Sequence, residues 1–154
     1  MGYFNVDELF ILDSIKAETK ITGINYYTWH NLAVSKNGYV FIDKIELQFN
    51  NIPSILFEIN DTDEGIALRT NYNITKDIAE VEEKFNAQIK ITFSSENTNE
   101  LWNDIINIPL LSIEAEQHEQ FYLNWTILLN FGDEKRVIYY ENEKGLLVEY
   151  YAEN

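Results

Sequence analysis

Residues 45–72 read IELQFNNIPSILFEINDTDEGIALRTNY and residues 127–151 read ILLNFGDEKRVIYYENEKGLLVEYY, and these two stretches decide the fold. Each holds three short runs in which apolar residues alternate with polar ones, split by Asn, Asp and Gly. Alternation at period two sends successive side chains to opposite faces of a pleated strand, so each stretch predicts a three-stranded antiparallel meander. Laid side by side, Ile45 falls on Ile127, Leu47 on Leu129, Phe49 on Phe131, Ile55 on Val137 and Phe57 on Tyr139. After a loop two residues shorter in the second stretch, Gly65 falls on Gly145, Ile66 on Leu146 and Leu68 on Val148. Likeness over three runs and their turns predicts an internal duplication. The two glycines are expected to close equivalent turns, where a positive φ is cheap. Asp7-Glu8-Leu9-Phe10 weakly echoes Asn99-Glu100-Leu101-Trp102, which sets the halves at about 1–75 and 86–154 of a single domain spanning 1–154.

Outward from the meanders the period changes. Ile74, Ile78, Val81 and Phe85 recur at helical spacing and lay one apolar stripe on a helix. Ile78, Val81 and Phe85 are expected to be buried and Glu80, Glu82 and Glu83 exposed, with Asp77 and Glu80 forming a capping box. A second short helix is expected from about Thr98 to Asn107, capped by Asn97 and Glu100, with Leu101, Trp102, Ile105 and Ile106 inward and Pro109 as its stop. Ile89, Ile91 and Phe93 alternate as a strand, and Asn37-Gly38 is a hairpin turn signal. Residues 6–15 fit either a short helix or a buried strand. The fold class is therefore α+β: antiparallel sheet in two similar meander halves, with two helices packed on it.

A chain of 154 residues, 45% hydrophobic and 14% aromatic, can bury a core and is far too apolar to be disordered. It has no cysteine, which excludes disulfides, thiolate metal sites and a cysteine nucleophile. With no basic-then-apolar leader and no bilayer-length apolar run, a cytoplasmic location is expected. Gly2 invites a myristoylation reading, but Val6 stands where that motif wants Ser or Thr. Against 26 Asp and Glu stand 11 Lys and Arg, a formal charge of −15. Such a field repels nucleic acid and anionic membrane surfaces and attracts a basic protein.

Chemistry-bearing motifs are scarce. His30 sits among Tyr26, Tyr27 and Trp29, where packing accounts for it; His118 lies in a Glu-rich segment with no second His or Cys near enough for zinc. Asp61, Asp63 and Glu64 before Gly65 fail the calcium-loop spacing, since the glycine comes early and no closing glutamate follows. No phosphate loop, nucleophile elbow or dinucleotide fingerprint occurs. No catalytic residue, cofactor or metal is assigned, and the chain is not read as an enzyme.

Where the halves differ is informative. Ile45, Leu47, Phe49, Phe57, Ile66 and Leu68 and their counterparts are expected to form the inner face. On the other face Glu46 becomes Leu128, Glu58 becomes Tyr140, Ala67 becomes Leu147 and Asn71 becomes Tyr151. The second half thus gains an apolar, aromatic face with Glu141, Glu143 and Glu149 at its rim, which needs a cover: one of the chain's own helices, or a partner. The leading reading is a small acidic binding protein that masks a basic partner through Leu128, Tyr140, Glu141, Glu143, Leu147, Glu149 and Tyr151, as toxin-immunity proteins do. The alternative is a small-molecule-binding or enzymatic domain with a pocket between the halves. A homodimer or structural subunit joined through the same face is a third.

Overall fold

A computed structural model describes residues 2–33 and 39–151. In chain order the elements are α1 (Val6–Leu12), β1 (Ile21–Asn31), β2 (Tyr39–Phe49), β3 (Ile55–Ile59), β4 (Ile66–Arg69), α2 (Ile74–Lys84), β5 (Ile89–Ser95), α3 (Glu100–Asn103), β6 (Ser112–His118), β7 (Phe121–Asn130), β8 (Lys135–Glu141) and β9 (Gly145–Tyr150). The nine strands form one curled sheet, and every pairing is antiparallel. The fold is α+β, as the periodicities require. The Asn37-Gly38 turn lies outside the described residues, although the strands that flank it pair from Asn31 opposite Tyr39.

The sheet forks. One edge of β2 carries β1, which carries β5 in turn. The other edge is shared by two branches: β3 pairs with residues 44–47 and leads to β4, while β9 pairs at Ile42 and leads through β8 and β7 to β6. Between them sits Asp43, the residue left over by a bulge where the β1 register slips from Tyr27 opposite Lys44 to Thr28 opposite Ile42. A bulge bends a strand and re-aims a side chain, and here it lets one strand feed two diverging ribbons. The branches touch beside the fork, where Tyr140 Oη donates to the Asp63 carbonyl at 2.7 Å.

Both deciding stretches are three-stranded meanders, β2-β3-β4 and β7-β8-β9. Their registers differ, and descent from one duplicated unit is not shown. Ile45 faces Phe57, but Ile127 faces Ile138 rather than Tyr139, because the β7–β8 connection is one residue shorter. A slip of one residue moves a whole strand to the opposite face. Ile138 is therefore fully buried, and Arg136 is buried beside it. Arg136 Nε and Nη1 donate to the Leu101 and Lys135 carbonyls and the Glu134 carboxylate and its guanidinium lies over Tyr150, while Nη2 is buried without a hydrogen-bond partner among the described residues.

The glycines also differ. Gly145 has φ +77°, and a Cβ there would stand 2.8 Å from the Ile42 carbonyl oxygen. Gly65 does not adopt positive φ; Asp63, at +54°, makes that turn instead. What excludes a side chain at Gly65 is Asn124 of β7, whose carbonyl oxygen would lie 2.8 Å from the added carbon.

The core lies inside the curl: Ile45, Leu47, Phe57, Ile66 and Leu68 from one branch, Ile127, Leu129, Ile138 and Leu146 from the other, and Trp102 with Ile105 closing it. Trp102 Nε1 donates to Tyr26 Oη at 2.7 Å, so the largest buried side chain leaves no polar atom unpaired. The ambiguous amino-terminal segment is a helix, fixed by a capping box between Asn5 and Glu8. The second carboxylate oxygen of Glu8 accepts from Leu68 N and ties that helix to β4.

The helix expectations need three corrections. α2 begins at Ile74 with Asn73 as its cap, which frees Asp77 to bond Arg69 at 2.6 Å. Phe85 is exposed at the end of α2, whereas Ile74, Ile78 and Val81 pack on Tyr27, Trp29, Ile89 and Ile91. α3 is a single turn capped by Asn99, because Asn97 instead accepts from Ile24 N of β1.

Candidate functional site

α2 packs on β1 and β5, where it completes a second small cluster, and reaches the first branch through the Asp77–Arg69 ion pair. The outer face of that branch is polar and fully engaged. Glu46 is buried and accepts from Asn25 Nδ2 at 2.7 Å, from Tyr72 Oη at 2.6 Å and weakly from Tyr27 Oη. Burial, and then the Glu46 carboxylate, pushes the Tyr27 phenol up to about 12; the same two causes raise Tyr72 further. Glu58 bridges Lys44 at 2.8 Å and Arg69, and Arg69 continues to Asp77. Burial alone would lower the Lys44 pKa, but the Asp43 and Glu58 carboxylates outweigh it and raise it.

The outer face of the second branch is open. Lateral pairing puts Leu128, Val137 and Glu149 in one row and Thr126, Tyr139 and Leu147 in the next. Trp125 and Tyr151 flank these rows and are 46% and 44% exposed. A depression of about 650 Å³ is lined by Glu116, Trp125, Val137, Tyr139 and Glu149, and a smaller one of about 390 Å³ continues it over Glu114, Leu128 and Tyr151. Tyr139 Oη donates to Glu149 at 2.8 Å, and that hydrogen bond, more than burial, pushes its phenol up to about 12. An aromatic and aliphatic centre is edged by carboxylates.

Of the residues assigned from sequence, Leu128, Leu147, Glu149 and Tyr151 come together on this face, and Glu141 stands at its edge. Glu143 does not, and Tyr140 only borders the depression. The register slip turns the Tyr140 ring to the inner face, where it packs against the core, and Glu143 sits in the β8–β9 turn beside the fork. Trp125, Val137 and Tyr139 take their place. The two stretches align here without a gap, so no signal in the sequence marks the slip; it shows only in the pairing of Ile127 with Ile138.

His30 is engaged with Thr92 Oγ1 at 2.9 Å, and His118 is exposed at the end of β6. Among the described residues no three of His, Asp and Glu converge to hold a metal ion, and no helix is long and apolar enough to cross a membrane. No family model matches the chain, and no curated protein and no solved structure is similar enough to count as a match.

Proposed function

We propose that the chain is an acidic binding protein that masks a basic partner on the outer face of β6–β9, the manner of action of toxin-immunity proteins. The observation that carries this reading is the contrast between the two outer faces. On the first the charged side chains pair with one another, Glu58 with Lys44 and Arg69 with Asp77 of α2, while the second leaves Trp125, Tyr139 and Tyr151 open beside Glu114, Glu116 and Glu149. Aromatic anchors at the centre with charge at the rim are the composition of a protein interface. The sign of the rim selects a cationic partner, and a second copy of this chain would bring two acidic rims together at an overall charge of −15 each.

The test is co-purification from the native host at low and moderate salt, comparing the chain with a Trp125→Ser, Tyr151→Ser double variant. Both side chains are exposed, so the variant should melt within about 2 °C of the parent, as surface changes do. A basic protein held by the parent, lost by the variant and associating more slowly as salt rises supports the proposal. Retention by the variant, a salt-independent association rate, self-association through this face, or capture of nucleic acid would each overturn it.

A further inference from the structure

The mouth of the fork is itself a cavity, of about 650 Å³, a size suited to a small ligand or one long side chain. Its wall on the β1–β2 side is aromatic. Trp29 stacks on Phe41 with centroids 5.6 Å apart, Phe41 meets Tyr39 at 5.3 Å, and Phe85 stands edge-on to Trp29 at 5.7 Å. This position explains the exposed Phe85: the helix stripe runs past the core and ends as part of the cavity wall. The opposite wall comes from the β3–β4 turn, with Asp61 and Asp63, and from the β8–β9 turn, with Glu143.

Asp43 also lines this cavity, and the bulge puts it there. Its carboxylate is buried, and its one ion pair among the described residues is a long contact of 3.4 Å to Lys44, whose nearer partner is Glu58 at 2.8 Å. Among the described residues of the lining four carboxylates thus face one cation, Lys84, whose ammonium already lies 5.6 Å from the Phe85 ring centroid. Burial raises the Asp43 pKa, and Lys44 opposes this only in part.

We propose that the fork cavity is a binding site for an organic cation, an ammonium or quaternary ammonium group held against the aromatic wall by Asp43. The ring quadrupoles attract a cation over their faces, and a desolvated carboxylate opposite supplies the counter-charge. A metal ion would gain nothing from the rings, and an anion would be repelled by the acids. The same chemistry has two sources, a free small molecule or a lysine side chain carried by a protein. The site is distinct from the outer face of β6–β9 and does not depend on the reading given for it.

The experiment titrates the intact chain with choline, with its neutral isostere 3,3-dimethylbutan-1-ol and with a short oligolysine peptide. It follows the Trp29 indole N–H resonance, assigned through Trp29→Phe. A saturable shift with choline or oligolysine but not with the neutral alcohol is expected, and the tighter of the two names the source. Asp43→Asn should weaken that binding at least tenfold while the chain stays folded, and Trp125→Ser should leave it unchanged. Equal binding of the neutral alcohol, no saturable shift with either cation, or full affinity in Asp43→Asn would overturn the proposal. Because Trp125→Ser reports only on the outer face, failure there and failure here are read separately.

Discussion

Glu58→Ala should be among the most damaging single substitutions in this chain, although sequence alone places Glu58 on a solvent-facing strand position. Its carboxylate stands 2.8 Å from Lys44 Nζ, and the two side chains are only 14% and 11% exposed. At an effective dielectric near 20, a pair at that distance is worth about 6 kcal/mol of gross attraction, most of which offsets the cost of desolvating both ions. Removing one partner leaves that cost unopposed on the other. Lys44 would keep only the 3.4 Å contact with Asp43, so the loss belongs at about 3 kcal/mol. Arg69 adds little, being 40% exposed and still bonded to Asp77. Urea denaturation measures the change, with an unchanged m-value certifying that the unfolding transition is the same one. A double variant, Lys44→Met with Glu58→Leu, should recover most of the loss, since an apolar pair of similar volume has no charge to desolvate. A loss below about 1 kcal/mol for Glu58→Ala at constant m would refute the picture of a desolvated pair.

Val81→Asp should cost about 2 kcal/mol in the same assay, because it sets a carboxylate against Tyr27, Ile89 and Ile91; an unchanged melting midpoint would mean that α2 does not rest on that cluster. Tyr27 and Tyr72 give the alkaline limb of stability a definite sign. Both phenols hold their protons more tightly folded than unfolded, so the stabilisation is complete below pH 10 and is lost as pH rises from there through 12. Thermal melts of Tyr72→Phe should therefore decline less steeply than the parent between those limits, and parallel declines would contradict the assigned cause.

How much of this was legible follows from what each signal measures. Alternation found the strands of both meanders because it reports a face, a local property of each run. It could not report the register between runs, which depends on turn length. Phe57 and Tyr139 look equivalent in sequence and lie on opposite sides of the sheet because one connection is shorter by a single residue. Of the residues that the comparison of halves placed on the outer face, Leu128, Leu147 and Tyr151 lie together there, and Tyr140 packs against the core. The fork and its cavity were invisible for a different reason. Asp43 reads as one more polar residue in an alternating strand, and only the pairing of β2 with three neighbours shows it to be a bulge. Likewise Phe85 fits the helix stripe, and only its distance from Trp29 separates a cavity wall from a core position.

The charge of −15 acquires a location once the partners of the acids are traced. Glu58 and Asp77 are neutralised at close range by Lys44 and Arg69, and Glu46 sits buried among hydroxyl and amide donors. A carboxylate bonded to its own cation contributes little field a Debye length away, about 10 Å at ordinary ionic strength. The field that an approaching molecule meets must therefore come from acids not paired in this way. Glu114, Glu116 and Glu149 lie on the open face of β6–β9, and Asp61, Asp63 and Glu143 lie at the mouth of the fork. Both places also expose aromatic rings. Solubility alone would ask only that charge be spread over the surface. Acids beside uncovered Trp, Tyr and Phe are common to the two binding surfaces proposed above, and both proposals call for a positively charged ligand.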